Sequence, residues 1–223
     1  MRPIRVAILG DYKEEGWPSM DRVADQLLAA LDRLPAQTGG LVATAVCPRF
    51  VRRASRLSSG RAAVNVDRGL NRLIDYPRRA RAIANDYDVF HVVDHSYAQL
   101  VHRLPADRTV VTCHDLDTFR SILHPEDEPR ALAFRLMAQH ILSGLGRAAA
   151  VACDTRSVRD QIVGHQIVPA DRVVVAPLGV SDAFVPETDS RADREAARLV
   201  GAPDDAVQVL HVGSVVPRKR VDV

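Results

Sequence analysis

Aromatic residues are scarce in this 223-residue chain, at 4% of the composition, and lysine is almost absent, with Lys13 and Lys219 the two examples. The first scarcity removes the stacking platforms that a single-stranded nucleic-acid surface needs, so no nucleic-acid partner is expected. No apolar run approaches the roughly 20 residues of a membrane-spanning helix. The opening MRPIRVAILG carries an apolar stretch too short for a signal peptide. A cytoplasmic location follows as an expectation. The three cysteines, Cys47, Cys113 and Cys153, close separate apolar runs without the close pairing of a metal or redox motif, and read as buried free thiols. Glycines at G-x-G-x-x-G spacing are also missing after Gly10, which excludes the usual dinucleotide fingerprint.

What is present reads as one full domain and the start of another. Hydrophobic residues make up 47% and charged residues 26%, with a formal charge of +2, as in a globular chain. The even total hides a basic segment. From Arg49 to Arg81, arginines crowd against only Asp67 and Asp75. The plain reading is a solvated face on an arginine-rich background. The functional reading is a footprint for anionic lipid headgroups, which adds the inner membrane face as a location, or for a phosphorylated acceptor.

Strand and helix patterns alternate along the chain. Strands are expected at Ile4–Leu9, Leu41–Cys47, Val89–Val93, Thr109–Cys113, Ala148–Cys153 and Arg172–Ala176. Between them lie a helix capped by Ser19 or Asp21, one near Leu70–Ile83 with Leu70, Leu73 and Ile74 inward, one through Leu100 and Val101, and one over about 130–145 with Leu132, Leu136, Ile141 and Leu145 inward. A further helix is capped by Asp154 or Thr155. This order predicts an α/β fold, a doubly wound, mainly parallel Rossmann-like sheet over residues 1–180. Residues 181–205 read as an interdomain linker with a charged helical stretch, and 206–223 as the first strand of a truncated second domain.

The stretch RTVVTCHDLD, residues 108–117, concentrates the chemistry. A buried strand ends abruptly on His114, Asp115 and Asp117, at the edge where open α/β sheets bind ligands. His114 either recognises a sugar or merely satisfies backbone groups. Asp115 and Asp117 form an Asp-x-Asp pair that can hold Mg²⁺ or cap the next element. A phosphatase-like reading places a threonine four residues after the first aspartate, whereas Thr118 stands three after Asp115. His91 and His95 are four apart on a strand running into a loop, a spacing that does not align two zinc ligands. Gly16 is a turn glycine or one that admits a phosphate to the following helix. Arg218 and Lys219, after a strand and Gly213, pair a fork with a point charge, as a diphosphate clamp does.

Five segments in order, YDVFHVVDHSYAQL, VVTCHDLDTF, AAAVACDTRSVRDQIV, RVVVAPLGVSDAF and VLHVGSVVPRKR, resemble the N-terminal half and the opening of the C-terminal half of GT-B glycosyltransferases of glycosyltransferase family 4. The resemblance implies a retaining glycosyltransferase that moves a sugar from a nucleotide-diphosphate donor to a glycan, lipid-linked or small-molecule acceptor, with no cofactor and no metal. It implies that Gly16 approaches the donor diphosphate, His114 contacts the transferred sugar as the catalytic-site histidine, and Asp94 and His95 line the acceptor side. Arg218 and Lys219 neutralise the leaving group. The sequence departs from the family where Trp17 follows Gly16, where Ser214 replaces an arginine, and where the Glu-x₇-Glu region is missing, so the chain is expected to be inactive alone. Alternatives are a non-catalytic acceptor-binding or partner-docking module and, more distantly, a Mg²⁺-dependent hydrolase using Asp115.

Overall fold

The computed structural model describes residues 2–34, 40–180 and 189–201. The chain divides into two units, Met1–Gly179 and Val180–Val223. In the first, strands β1 (Ile4–Leu9), β2 (Leu41–Val46), β3 (Val89–Val92), β4 (Thr109–Cys113), β5 (Ala150–Cys153) and β6 (Val173–Val175) form one parallel sheet in the order β2-β1-β3-β4-β5-β6. The helices are α1 (Pro18–Asp32), α2 (Arg61–Leu70), α3 (Tyr76–Ala82), α4 (Arg120–Leu123), α5 (Leu132–Arg147) and α6 (Arg156–Gly164). In the second unit the described element is α7 (Ser190–Val200), in the charged stretch expected to be helical.

Strand β1 shows why both faces are covered. Alternate residues Val6 and Ile8 pack with Ala24, Leu27, Leu28 and Leu31 of α1, while Ala7 and Leu9 enter the larger core on the opposite face. Side chains alternate across a strand, so a continuous apolar run requires cover on both sides. After β2 the chain returns to the other side of β1, and β3 pairs there. That reversal opens a crevice at the carboxyl ends of β1 and β3.

Several sequence expectations need correction. The helix after the arginine-rich loop begins at Arg61, and a π turn at Asn71–Asp75 joins α2 to α3. Its i→i+5 bonding adds a residue and shifts the phase. The buried positions are therefore Asp67, Asn71, Tyr76, Ala80 and Ile83, and Leu73 and Ile74 are exposed. In α5, Leu132 and Leu136 are exposed while Ala138, Ile141, Leu142 and Leu145 are buried. The expected stripe contained a step of five residues from 136 to 141, which turns the helix by about 140° off its buried face. Helix α1 starts at Pro18 with Trp17 at its N-cap and no side-chain cap, so Ser19 and Asp21 lie inside its first turn. Cys47 is exposed, whereas Cys113 and Cys153 are buried and paired in register across β4 and β5.

Four aromatics, Tyr12, Phe50, Tyr76 and Tyr97, gather near the carboxyl ends of β1 and β3. Tyr12 packs edge-on against Phe50 and Tyr76, and Tyr76 against Tyr97. The Tyr76 hydroxyl lies 2.7 Å from both the Gly10 and Val46 carbonyls, its one proton serving one at a time. It thus ties the loops after β1 and β2 to α3. On the far side, Gly144 of α5 sits against the 3₁₀ helix His95–Arg103, so close that a Cβ would stand 2.1 Å from the Ala98 carbonyl oxygen.

Candidate functional site

Each of the four central strands ends in a polar residue at the same sheet edge. Asp11 follows β1 after Gly10, Asp94 and His95 follow β3 after Val93, His114 directly follows β4, and Asp154 directly follows β5. Parallel strands deliver their next residues to one edge, so these side chains converge from segments far apart in sequence.

His114 is held at both ring nitrogens. Nδ1 lies 2.7 Å from Asp154 Oδ2 and Nε2 lies 2.9 Å from the Val93 carbonyl oxygen. Both partners accept at these contacts, so both nitrogens donate and the ring is an imidazolium. Burial works against that charge; the hydrogen bond and charge of Asp154, the Val93 carbonyl and the charge of Asp94 outweigh it and raise the pKa above the ordinary histidine value. Its neighbours remain neutral. Burial pushes His95 down against the pull of Asp94 and Asp115, and burial with the charge of His114 takes His91 to about 4. His91 Nε2 sits 2.7 Å from the Thr112 hydroxyl.

His95 bridges the loops. Its Nδ1 lies 3.2 Å from Asp94 Oδ1 and receives the His114 amide at 3.4 Å, contacts that require opposite tautomers, and Nε2 faces Asp115 Oδ1 and the Thr118 hydroxyl. Asp94 caps the 3₁₀ helix by accepting from the Ser96 amide and the Ser96 hydroxyl. Asp115 accepts the Asp117 amide at 3.0 Å, a turn-forming bond that shapes the loop. Among the described residues, the group of three side chains close enough to share a cation is His124, Glu126 and Asp127, which includes neither Asp115 nor Asp117.

Asp11 is the carboxyl group that sequence reasoning passed over. It is 6% exposed, and neither of its carboxyl oxygens meets a donor. Burial first, then the charge of Asp94, raise its pKa, while Asp94 is lowered by His95 and the Ser96 bonds in spite of its own burial. The two carboxyl groups are thus pushed in opposite directions, Asp11 towards its neutral form and Asp94 towards its carboxylate. Arg72, from the π turn, lies over the Tyr97 ring at 4.2 Å, pairs with Glu15 at 3.3 Å and donates to the Ser96 carbonyl. The sequence places it in a solvated arginine face; instead its charge is turned inward and lowers the Asp11 pKa.

Gly16 ends a short 3₁₀ turn, Lys13–Glu15, with φ 73° in the left-handed region, and a Cβ there would meet open space. Its conformation accounts for the glycine locally, because left-handed backbone strains other residues. Thr155 caps α6 through the Val158 amide, which frees Asp154 for His114. Arg218 and Lys219 lie outside the described residues. Asp154 was legible by the rule that singled out His114, a polar residue immediately beyond a buried strand, and Asp11, one glycine further on, by a slightly looser form of it.

A family model described as Glycosyltransferase Family 4 matches residues 21–184. No curated protein matches the chain. The matched span runs from α1 through β6 and contains Asp94, His95, His114 and Asp154, with the all-parallel sheet of a GT-B N-terminal domain around them. The chain belongs to glycosyltransferase family 4.

Proposed function

We propose that this domain is the acceptor side of a retaining glycosyltransferase that takes its sugar from a nucleotide-diphosphate donor. The observation that carries the reading is the convergence of Asp94, His95 and His114 at the reversal of strand order in a family 4 chain. Asp94 and His95 line the acceptor side. His114, fixed by Asp154 and Val93, presents a rigid ring to the transferred sugar, and its positive charge favours the departing diphosphate. Gly16 lets the first loop approach that diphosphate, and Arg218 with Lys219 neutralises it in place of a metal. The acceptor is a glycan, a lipid-linked sugar or a small molecule, and no cofactor is needed.

The test offers a panel of UDP- and GDP-sugars with sugar acceptors to the product of the complete reading frame. Acceptor-dependent release of UDP or GDP is expected, and the product's anomeric proton keeps the donor's configuration by NMR. An inverted product overturns retention. Mg²⁺-dependent phosphate release abolished by Asp115→Asn would replace transfer with hydrolysis.

We infer a lipid contact from the arginine segment. Leu57 is 91% exposed, and Val66, Leu73 and Ile74 are exposed in the same segment of sequence as the exposed Arg56, Arg61, Arg78 and Arg79. Apolar side chains among unpaired basic ones suit the interface of an anionic bilayer. Cosedimentation with phosphatidylcholine vesicles should rise steeply when phosphatidylglycerol is added. Binding that ignores the anionic lipid overturns it.

A further inference from the structure

A second cluster of ligating side chains, separate from the strand-end group, lies where α4 leads towards α5. His124, Glu126 and Asp127 place a ring nitrogen and two carboxylate oxygens within 4.8 Å of one another. Their segment is a single turn, in which the Asp127 and Glu128 amides both donate to the His124 carbonyl, at 3.1 and 3.2 Å. Pro125 holds its own φ at the value such a turn needs. Glu128 is already engaged, by Arg130 at 2.6 Å and Arg120 at 3.7 Å. Among the described residues no ion pair or hydrogen bond holds the side chains of Glu126 and Asp127. Two such carboxylates repel each other until a cation comes between them. A second imidazole arrives from another element. His165, at the end of α6, packs edge-on against His124 with ring centroids 5.3 Å apart.

We propose that His124, Glu126 and Asp127, completed by His165, bind a divalent transition-metal ion of the zinc class, which clamps the turn after α4 to the end of α6. Two imidazoles with two carboxylates are a donor set for zinc. Magnesium and calcium are disfavoured, because each prefers six or more oxygen ligands and this cluster offers nitrogen at two positions. The ligand atoms have to close to about 3.4 Å, the edge of a tetrahedron with bonds of about 2.1 Å. Glu126, Asp127 and His165 are exposed, so side-chain rotation achieves this while the turn keeps its backbone. A pair of surface carboxylates alone needs no ion; the two imidazoles, brought together from the ends of two different helices, set this cluster apart. None of Asp94, His95, His114 and Asp154 is among the ligands, so the ion has a structural part and the proposal does not depend on the glycosyltransferase reading.

The test strips the 223-residue chain with EDTA and titrates it with Zn²⁺ by calorimetry, with Mg²⁺ in parallel. One Zn²⁺ should bind per chain, and a large excess of Mg²⁺ should not displace it. In ¹H–¹⁵N spectra the ring signals of His124 and His165 should shift, and those of His95 and His114 should stay. His124→Ala and the double variant Glu126→Gln with Asp127→Asn should each weaken binding by at least about tenfold, and His165→Ala by about tenfold. Trypsin cleavage after Arg130 should slow when Zn²⁺ is added to the wild-type chain and should not slow in His124→Ala. The stacked rings of His102 and His140 are an internal control. Shifts confined to that pair, or an affinity unchanged in His124→Ala, mean an adventitious ion only and overturn the site. Displacement by Mg²⁺ overturns the choice of ion, and an affinity unchanged in His165→Ala overturns the clamp. If a variant does not fold, the ring shifts of the wild-type chain decide.

Discussion

His114 and Asp154 stand just beyond the ends of neighbouring parallel strands and meet at 2.7 Å, a charged pair with side chains only 10% and 16% exposed. The pair fixes the ring plane, because the opposite nitrogen is held by the Val93 carbonyl at the end of β3. Three strands are thus tied at their carboxyl ends through one imidazolium. The histidine's first role is to organise the edge; any contact with a sugar is made by a ring that is already immobile.

Removing Asp154 should release that ring. In Asp154→Asn the charge that raises the His114 pKa is gone, so the His114 titration, followed by proton NMR, should move to lower pH. The stability loss should be about 2 kcal/mol, as for a charge-assisted hydrogen bond. Because the folded pKa is raised, this contribution is fully present below about pH 6.5 and disappears as pH rises through the folded value. Denaturant titrations of the variant and wild type should therefore converge at alkaline pH.

His91 works in the opposite sense. Its folded pKa is lowered to about 4, so the folded protein refuses a proton that the unfolded chain accepts. Stability from this site is present above about pH 6.5 and is lost as pH falls from there towards 4. His91→Gln, which keeps a neutral partner for Thr112, should flatten this part of the acid-unfolding curve when followed by circular dichroism. An unchanged curve would remove His91 from the account.

The strands were legible in the sequence to within one or two residues, because a buried parallel strand writes itself as an uninterrupted apolar run. The edge position of His114 followed from the same signal. The helix faces were less legible. A π turn such as Asn71–Asp75 leaves no mark in residue type, and one inserted residue moves Leu73 and Ile74 from the inside to the outside. In the sequence Asp154 and Thr155 are equal candidates for the cap of α6; Thr155 takes that place, and only the register of β4 against β5 brings Asp154 to His114. Arg72 was hidden by its neighbours in sequence: a run of arginines gives no indication of which one turns inward.

Asp67 anchors the arginine-rich loop. Its carboxylate accepts from the Arg53, Ala54 and Ser55 amides and the Ser55 hydroxyl, and these bonds, led by the Ser55 hydroxyl, hold its pKa below the ordinary carboxylate range. Asn71, one turn later, holds Val51 by both its amide and its carbonyl. Asp67→Ala should leave three amides without their acceptor and loosen residues 49–60. Limited trypsin digestion should then cut at Arg53 or Arg56 well before the rest of the domain.

Gly144 sets how closely α5 approaches the helix that starts at His95. An alanine Cβ at this position would lie 2.1 Å from the Ala98 carbonyl oxygen and 2.6 Å from its carbon, and the obstacle is backbone that cannot rotate aside. Relief requires the two helices to move apart. Overpacking of this kind typically costs about 1–3 kcal/mol, and more where backbone must shift. The displaced 3₁₀ helix begins at the residue after Asp94, so the strain is transmitted to the site. Gly144→Ala should lower the melting temperature and also shift the ring resonances of His95 and His114. A variant that melts like wild type with unchanged histidine resonances would show that the helix spacing does not set the geometry of the edge.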